Sequence, residues 1–122
     1  MIRAALVLLL LTDMLAAACL PMSRTRGSYI YFPGIPAVAE SARKDPAAVN
    51  VFFKRDPDRS VVEIGIVEAV ATGLNVSLQM VFPELTRQAG LMGADAIYKI
   101  ELQRYDHAGD AMYATAIAIR YQ

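Results

Sequence analysis

SLQMVFPELTRQAGLMGADAIYKI, residues 77–100, is the stretch on which the fold turns. Leu78, Val81, Phe82, Leu85, Ala89 and Met92 recur at steps of three and four, which puts them on one face of a helix. Gly93 follows the last of them, where helices commonly end in a left-handed residue that glycine adopts without steric cost. Ala94-Asp95-Ala96-Ile97 then restarts the chain as a strand. Pro83 is discordant, because in a helix interior proline removes a hydrogen bond and crowds the preceding turn, at about 3 kcal/mol. The apolar spacing runs straight through it, so the expectation is a kinked or two-part helix from Ser77; a helix starting at Pro83 is the alternative. Gly90 beside Ala89 reads as a close approach of this helix to a sheet.

Strands are expected on both sides. Val49-Asn50-Val51-Phe52-Phe53 is β-branched and aromatic, a first strand. Lys54 to Ser60 is a polar turn with Pro57 inside it. The second strand runs from Val61 to about Ala71, with Val62, Ile64, Ile66 and Val70 as its apolar face; Glu68 interrupts that face, marking a bulge or the point where the strand leaves the core. Thr72-Gly73-Leu74-Asn75 leads into the helix, with Asn75 or Ser77 as its cap. In the third strand Ala96, Tyr98, Ile100 and Leu102 share one face, and Lys99, Glu101 and Gln103 the other. A hairpin turn at Asp106-His107-Ala108-Gly109-Asp110 connects to the last strand, Met112 to Tyr121. There Tyr113, Thr115, Ile117, Ile119 and Tyr121 oppose Met112, Ala114, Ala116, Ala118 and Arg120, and the small alanines suit a surface under a helix. The order is β-β-α-β-β: an α+β fold, a small mainly antiparallel sheet with one helix on one face, spanning residues 49–122.

The N-terminus speaks to address. Arg3, the apolar run Ala4 to Leu11 and the small residues Ala16-Ala17-Ala18 describe a secretory signal over residues 1–18. A transmembrane helix over 4–22 competes with it, but Asp13 would then sit near mid-bilayer at roughly 2.5–3.5 kcal/mol. Leu15-Ala16-Ala17-Ala18-Cys19 resembles the lipobox of bacterial lipoproteins, which implies acylation of Cys19, the only cysteine. An ordinary A-x-A cut at the same bond, leaving a free thiol, is the other reading. Two or more acyl chains hold a protein durably, at about 0.8 kcal/mol per buried methylene. With Leu20 after the cysteine, a Gram-negative source would direct the protein to the outer membrane, facing the periplasm. Residues 19–48, with Pro21, Pro33, Pro36 and Pro46, read as a lipidated N-terminus and extended linker; Tyr29-Ile30-Tyr31-Phe32 is the one segment in it that could pair with the domain edge.

Composition removes several function classes. A chain of 122 residues holds one domain. Twelve basic residues balance twelve acidic ones, and no basic block marks a nucleic-acid groove. A single cysteine excludes an internal disulfide framework and a cysteine-rich metal site. No catalytic motif, and nothing that calls for a cofactor or metal, stands in the sequence. Glu63 and Glu68, five apart on a strand, read as lying on opposite faces and as a poor acid–base pair. Tyr98, Tyr113 and Tyr121 read as core and rim, and the Arg55/Asp56/Asp58/Arg59 group as a solvated turn.

Four short stretches carry a resemblance: Arg55-Asp56-Pro57-Asp58-Arg59, Glu63-Ile64-Gly65-Ile66-Val67-Glu68, Leu91-Met92-Gly93-Ala94-Asp95-Ala96-Ile97 and Ala118-Ile119-Arg120-Tyr121. They look like a group of small uncharacterised bacterial lipoproteins. The helix followed by Leu91-Met92-Gly93-Ala94-Asp95-Ala96-Ile97 also resembles the sensor lipoprotein of the Rcs stress system and YbjQ-like domains. The Rcs sensor is stapled by disulfides that this chain cannot form, so its signalling role is not carried over. YbjQ-like domains form rings through strand edges, which implies self-association as an expectation. The function expected is a non-enzymatic, lipid-anchored envelope protein that binds another envelope protein or forms a homo-oligomer. The rival is a small secreted ligand-binding domain or enzyme using the turn Asp106–Asp110 with His107.

Overall fold

The computed structural model describes residues 23–105 and 110–122. Residues 1–22, with the expected signal and Cys19, and residues 106–109, with most of the expected turn, lie outside the described residues. The elements are β1 (Arg24–Tyr31), β2 (Asn50–Val51), β3 (Val61–Thr72), α1 (Leu78–Leu91), β4 (Ala96–Tyr105) and β5 (Ala111–Tyr121), with short 3-10 turns at Glu40–Ala42 and Pro46–Ala48. They make one five-stranded sheet in the order β1-β3-β5-β4-β2. All neighbours are antiparallel except β2 and β4. The expected fold class holds: an α+β, mostly antiparallel sheet with one helix across one face.

Tyr29-Ile30-Tyr31 pairs with the domain edge, as that segment could, and the strand starts earlier than the sequence suggested. Residues 24–31 form a full edge strand, paired with β3 from Arg24 opposite Thr72 to Tyr31 opposite Gly65. The chain then wraps the C-terminal end of α1. Lys44 donates its backbone N–H to the Gly90 carbonyl at 2.8 Å, and its ammonium pairs with Asp95. Gly90 is therefore glycine because the Lys44 carbonyl lies where a Cβ would go; the close approach is to this returning segment, not to the sheet. The expected first strand, Val49 to Phe53, shrinks to Asn50–Val51 and runs parallel to β4 at the far edge. Proline at Pro33 and Pro36 did not prevent this packing, since neither falls in a ladder.

α1 is a single helix with Ser77 at its N-cap position and Pro83 inside it; the Ser77 hydroxyl makes no capping bond and reaches the Gln79 side chain instead. It is not split in two. Its end follows the expectation around Gly93, whose φ is 72°. The Ala94 N–H reaches the Ala89 carbonyl at 3.0 Å and the Gly93 N–H the Gly90 carbonyl at 3.0 Å, the paired bonds of a Schellman turn. Asp95 then ties three segments together, accepting from the Tyr121 N–H at 2.8 Å and from the Lys44 ammonium. Gly-Ala-Asp at positions 93–95 is thus a structural joint.

Under the helix, Val81, Leu85, Ala89 and Met92 pack on Val67, Ala69 and Ala71 of β3 and on Met112, Ala114, Ala116 and Ala118 of β5. The alanine face of β5 lies where the sequence put it. The faces of β3 and β4 differ from expectation, and both differences come from bulges. One lies between Glu63 and Gly65, so Ile64 joins Val67 on the helix side while Ile66 and Val70 turn away. The bulge is there, not at Glu68. A second lies between Tyr98 and Glu101, where Lys99 takes φ 50°. It places Ile97 and Ile100 toward the helix, while Ala96 and Tyr98 face the other way.

Candidate functional site

With α1 on one face, the other face of the sheet is the surface left to describe. Cross-strand partners share a face, so the register writes out its rows. The row Ser28, Glu68, Thr115, Glu101 crosses four strands, from β1 to β4. On one side of it runs Arg26, Val70, Tyr113, Gln103, and on the other Ile30, Ile66, Ile117, Tyr98. A polar band therefore abuts an apolar band, with Ile30 65% exposed at the edge.

The apolar band continues into a small second core. Ala96, Tyr98 and Ile119 are buried there beneath Phe52, Val61 and Tyr121. Phe52, from the loop after β2, is one part of that cover; Val61 and Tyr121 come from the ends of β3 and β5. The Arg55 guanidinium lies 5.1 Å from the Phe52 ring centre and that of Arg59 lies 4.1 Å from the Tyr121 ring centre. Asn50 donates to the Tyr121 hydroxyl at 2.7 Å. The turn is exposed, as read, and within it Arg55 stacks on Phe52 of the same loop while Arg59 stacks on Tyr121 of β5.

The polar band is organised around carboxylates. Glu68 accepts from the Tyr113 hydroxyl at 2.8 Å and from the Ser28 hydroxyl at 3.3 Å. Holding that carboxylate raises the Tyr113 hydroxyl above its ordinary value. Beyond the apolar row, outside this band, Glu63 stands opposite Ile119 and accepts from the Tyr98 hydroxyl and, at 3.4 Å, from the Lys99 ammonium. The tyrosine bond, helped by the lysine and opposed by burial, holds Glu63 below the usual carboxylate range. Two shallow depressions open on the band. One of about 480 Å³ is lined by Glu101, Gln103, Tyr113 and Thr115, and one of about 300 Å³ by Ile66, Glu68, Lys99 and Ile117.

Glu63 and Glu68 stand on the same face, against the expectation from strict alternation. Glu63 pairs with Ile119 and Glu68 with Thr115, both on the open side, because the bulge at Ile64 inserts one residue between them. Alternation alone cannot see a bulge; the nearest signal in the sequence was Gly65, whose Cβ would collide with the Ile30 carbonyl. Tyr98, Tyr113 and Tyr121 are core and rim by burial, yet each spends its hydroxyl on a partner. Cys19, Asp106 and His107 lie outside the described residues. Asp110 is described, and its carboxylate lies 3.9 Å from the Arg104 guanidinium. Among the described residues no group of three or more His, Cys, Asp or Glu comes together as a metal site.

The fold has a relative among solved structures. The crystal structure of the Francisella virulence factor FvfA, in its orthorhombic form, superposes with a TM-score of 0.58 over 78% of this chain and 97% of that one, at 18% identity. That likeness is one of fold. No protein-family model and no curated protein matches the sequence.

Proposed function

We propose that this chain is a cell-envelope lipoprotein, acylated at Cys19, whose domain binds another protein, or a second copy of itself, through the open face of its sheet. The observation that carries the binding half is the pair of adjacent rows on that face. Ser28-Glu68-Thr115-Glu101 offers hydrogen-bonding groups, and Ile30-Ile66-Ile117-Tyr98 beside it offers apolar area. A polar band flanking an apolar one is the composition of protein interfaces, where apolar anchors supply affinity and polar neighbours supply register. Glu68 is already fixed by Tyr113 and Ser28, so little side-chain freedom is lost when a partner arrives. The anchoring half rests on the run Leu15 to Cys19 and on the signal before it.

Both halves have direct tests. Intact mass of the mature protein, with Cys19→Ala as control, is expected to show diacylglyceryl and amide-linked acyl mass on a chain starting at residue 19. An unmodified thiol at that terminus would refute the anchor. A photo-reactive amino acid at Thr115 is expected to give a defined adduct in cells, whereas the same probe at Thr86 on the helix is not. Absence of any adduct from Thr115, with a monomer throughout, would refute the binding face.

A further inference from the structure

The start of β1 sets how far an anchor can hold the domain from its membrane. Cys19 lies five positions before Arg24, the first residue of β1. An extended chain advances at most about 3.3–3.6 Å per residue, so Cys19 lies no more than about 18 Å from Arg24. β3 alone has 12 residues, roughly 40 Å of strand. The tether is about half as long as the body it restrains. It is too short to act as a stalk.

The end it pulls on has a particular surface. The row Arg24, Thr72, Ala111, Tyr105 closes the ladder at this end, and the turn after Thr72 extends beyond it. Asp110 also lies here: its carbonyl accepts from the Gly73 N–H at 3.0 Å, and its carboxylate is set against a cation, 3.9 Å from the Arg104 guanidinium. That turn carries Leu74, 69% exposed, the most exposed large apolar side chain described. Leu78 at the start of α1 and Tyr105, two strands across from Thr72 at the end of β4, are also exposed. Arg24 and Arg26 are exposed on the strand that enters here. Leucine and tyrosine at the tip with arginines behind them match the layering of a bilayer surface. Apolar tips enter the headgroup and acyl boundary, while guanidinium groups meet lipid phosphates. The open face is unsuited to the same role, because Glu68 and Glu101 would be pressed against phosphate.

We propose that the mature protein docks end-on to an anionic bilayer through Leu74, Leu78 and Tyr105, flanked by Arg24 and Arg26. The sheet then stands away from the membrane, with its open face turned sideways toward the aqueous compartment. This inference rests on the acylation of Cys19 proposed above, and its test separates the two.

The sequence contains no tryptophan, so a single one is a clean probe. Leu74→Trp marks the docking end and Ser60→Trp the opposite end; both positions are exposed, and neither substitution disturbs the core. The 122-residue chain is expressed from Met1 and placed in phosphatidylethanolamine–phosphatidylglycerol vesicles with brominated acyl chains. Intact mass of the same sample reads the state of Cys19. Where the thiol is unmodified, it is coupled to a maleimide phospholipid, so docking is measured whichever way the lipoprotein reading falls. The expected result is a blue-shifted Leu74→Trp emission quenched at least twofold by brominated lipid, with Ser60→Trp emission unchanged. Equal quenching at both positions, or none at position 74, overturns the inference.

Discussion

Glu63 is held by the Tyr98 hydroxyl first and by Lys99 second, and its carboxyl therefore titrates below its ordinary value of 4.5. A carboxylate whose folded value is depressed stabilises the fold above its unfolded value, and that stabilisation is lost as pH falls through the folded one. Tyr98→Phe is accordingly expected to move the Glu63 titration back up, as read by carboxyl carbon shifts in NMR. It should also flatten the loss of stability below about pH 4.5. Glu63 is 41% exposed, so solvent screens the interaction and the stability change should stay under about 1 kcal/mol. Glu84 behaves alike for a different reason. The Arg87 fork, at 2.9 and 2.7 Å, lowers it first, and the buried Gln88 amide donates to it at 2.9 Å. Glu84→Ala leaves that amide without its acceptor and should cost about 1–3 kcal/mol by urea denaturation, more than Arg87→Ala.

Among the elements, the positions that a sequence displays best are those where one residue type is dictated by backbone geometry or by periodic burial. Gly93 was legible as the end of α1 because a left-handed residue after an apolar period has few other meanings, and the alanines of β5 were legible because they repeat. What was not legible depends on two segments meeting. Gly65 looks like any strand glycine, yet a Cβ there would meet the Ile30 carbonyl of β1 and the Met92 side chain. Gly90 answers to Lys44, far away in the chain. The faces of β3 and β4 reverse at bulges that period-two counting cannot register. These differences have energetic counterparts. Gly93→Ala forces a Cβ into φ 72° and should cost about 1–2 kcal/mol. Gly65→Ala drives a Cβ into backbone, which yields less readily, and should cost about 2–3 kcal/mol or more. Ala116→Leu, overfilling the space under α1, should cost about 1–3 kcal/mol, while Thr115→Leu on the open face should cost less than about 1 kcal/mol. Urea midpoints of the four variants check the ranking. An Ala116→Leu protein as stable as the parent would mean that the helix does not seat on β5 as described.

At the scale of the molecule, the question is whether residues 24–48 are leash or body, since everything said about the bilayer depends on it. Polyproline-like linkers expose every basic residue to trypsin, whereas a strand must leave its sheet before a protease can seat it. Arg24 and Arg26 lie in a ladder with Thr72 and Val70, and Lys44 is held through both its backbone and its ammonium, to Gly90 and Asp95. The loop after β2 carries Lys54, Arg55 and Arg59 with no ladder around them. Limited trypsin digestion followed by mass spectrometry is thus expected to cut first between 54 and 59. Arg26 and Lys44 should be cut only as the whole domain opens, at a rate that rises with urea in step with global unfolding. Removing β1 would bare the edge of β3 from Gly65 to Thr72, an unpaired row of donors and acceptors next to apolar side chains, so a chain starting at Val49 should aggregate. A folded fragment beginning at Gly27 or Asp45, released early in native buffer, would instead restore the stalk. The tether would then be long enough for the domain to tumble freely, and the end-on orientation would lose its geometric basis.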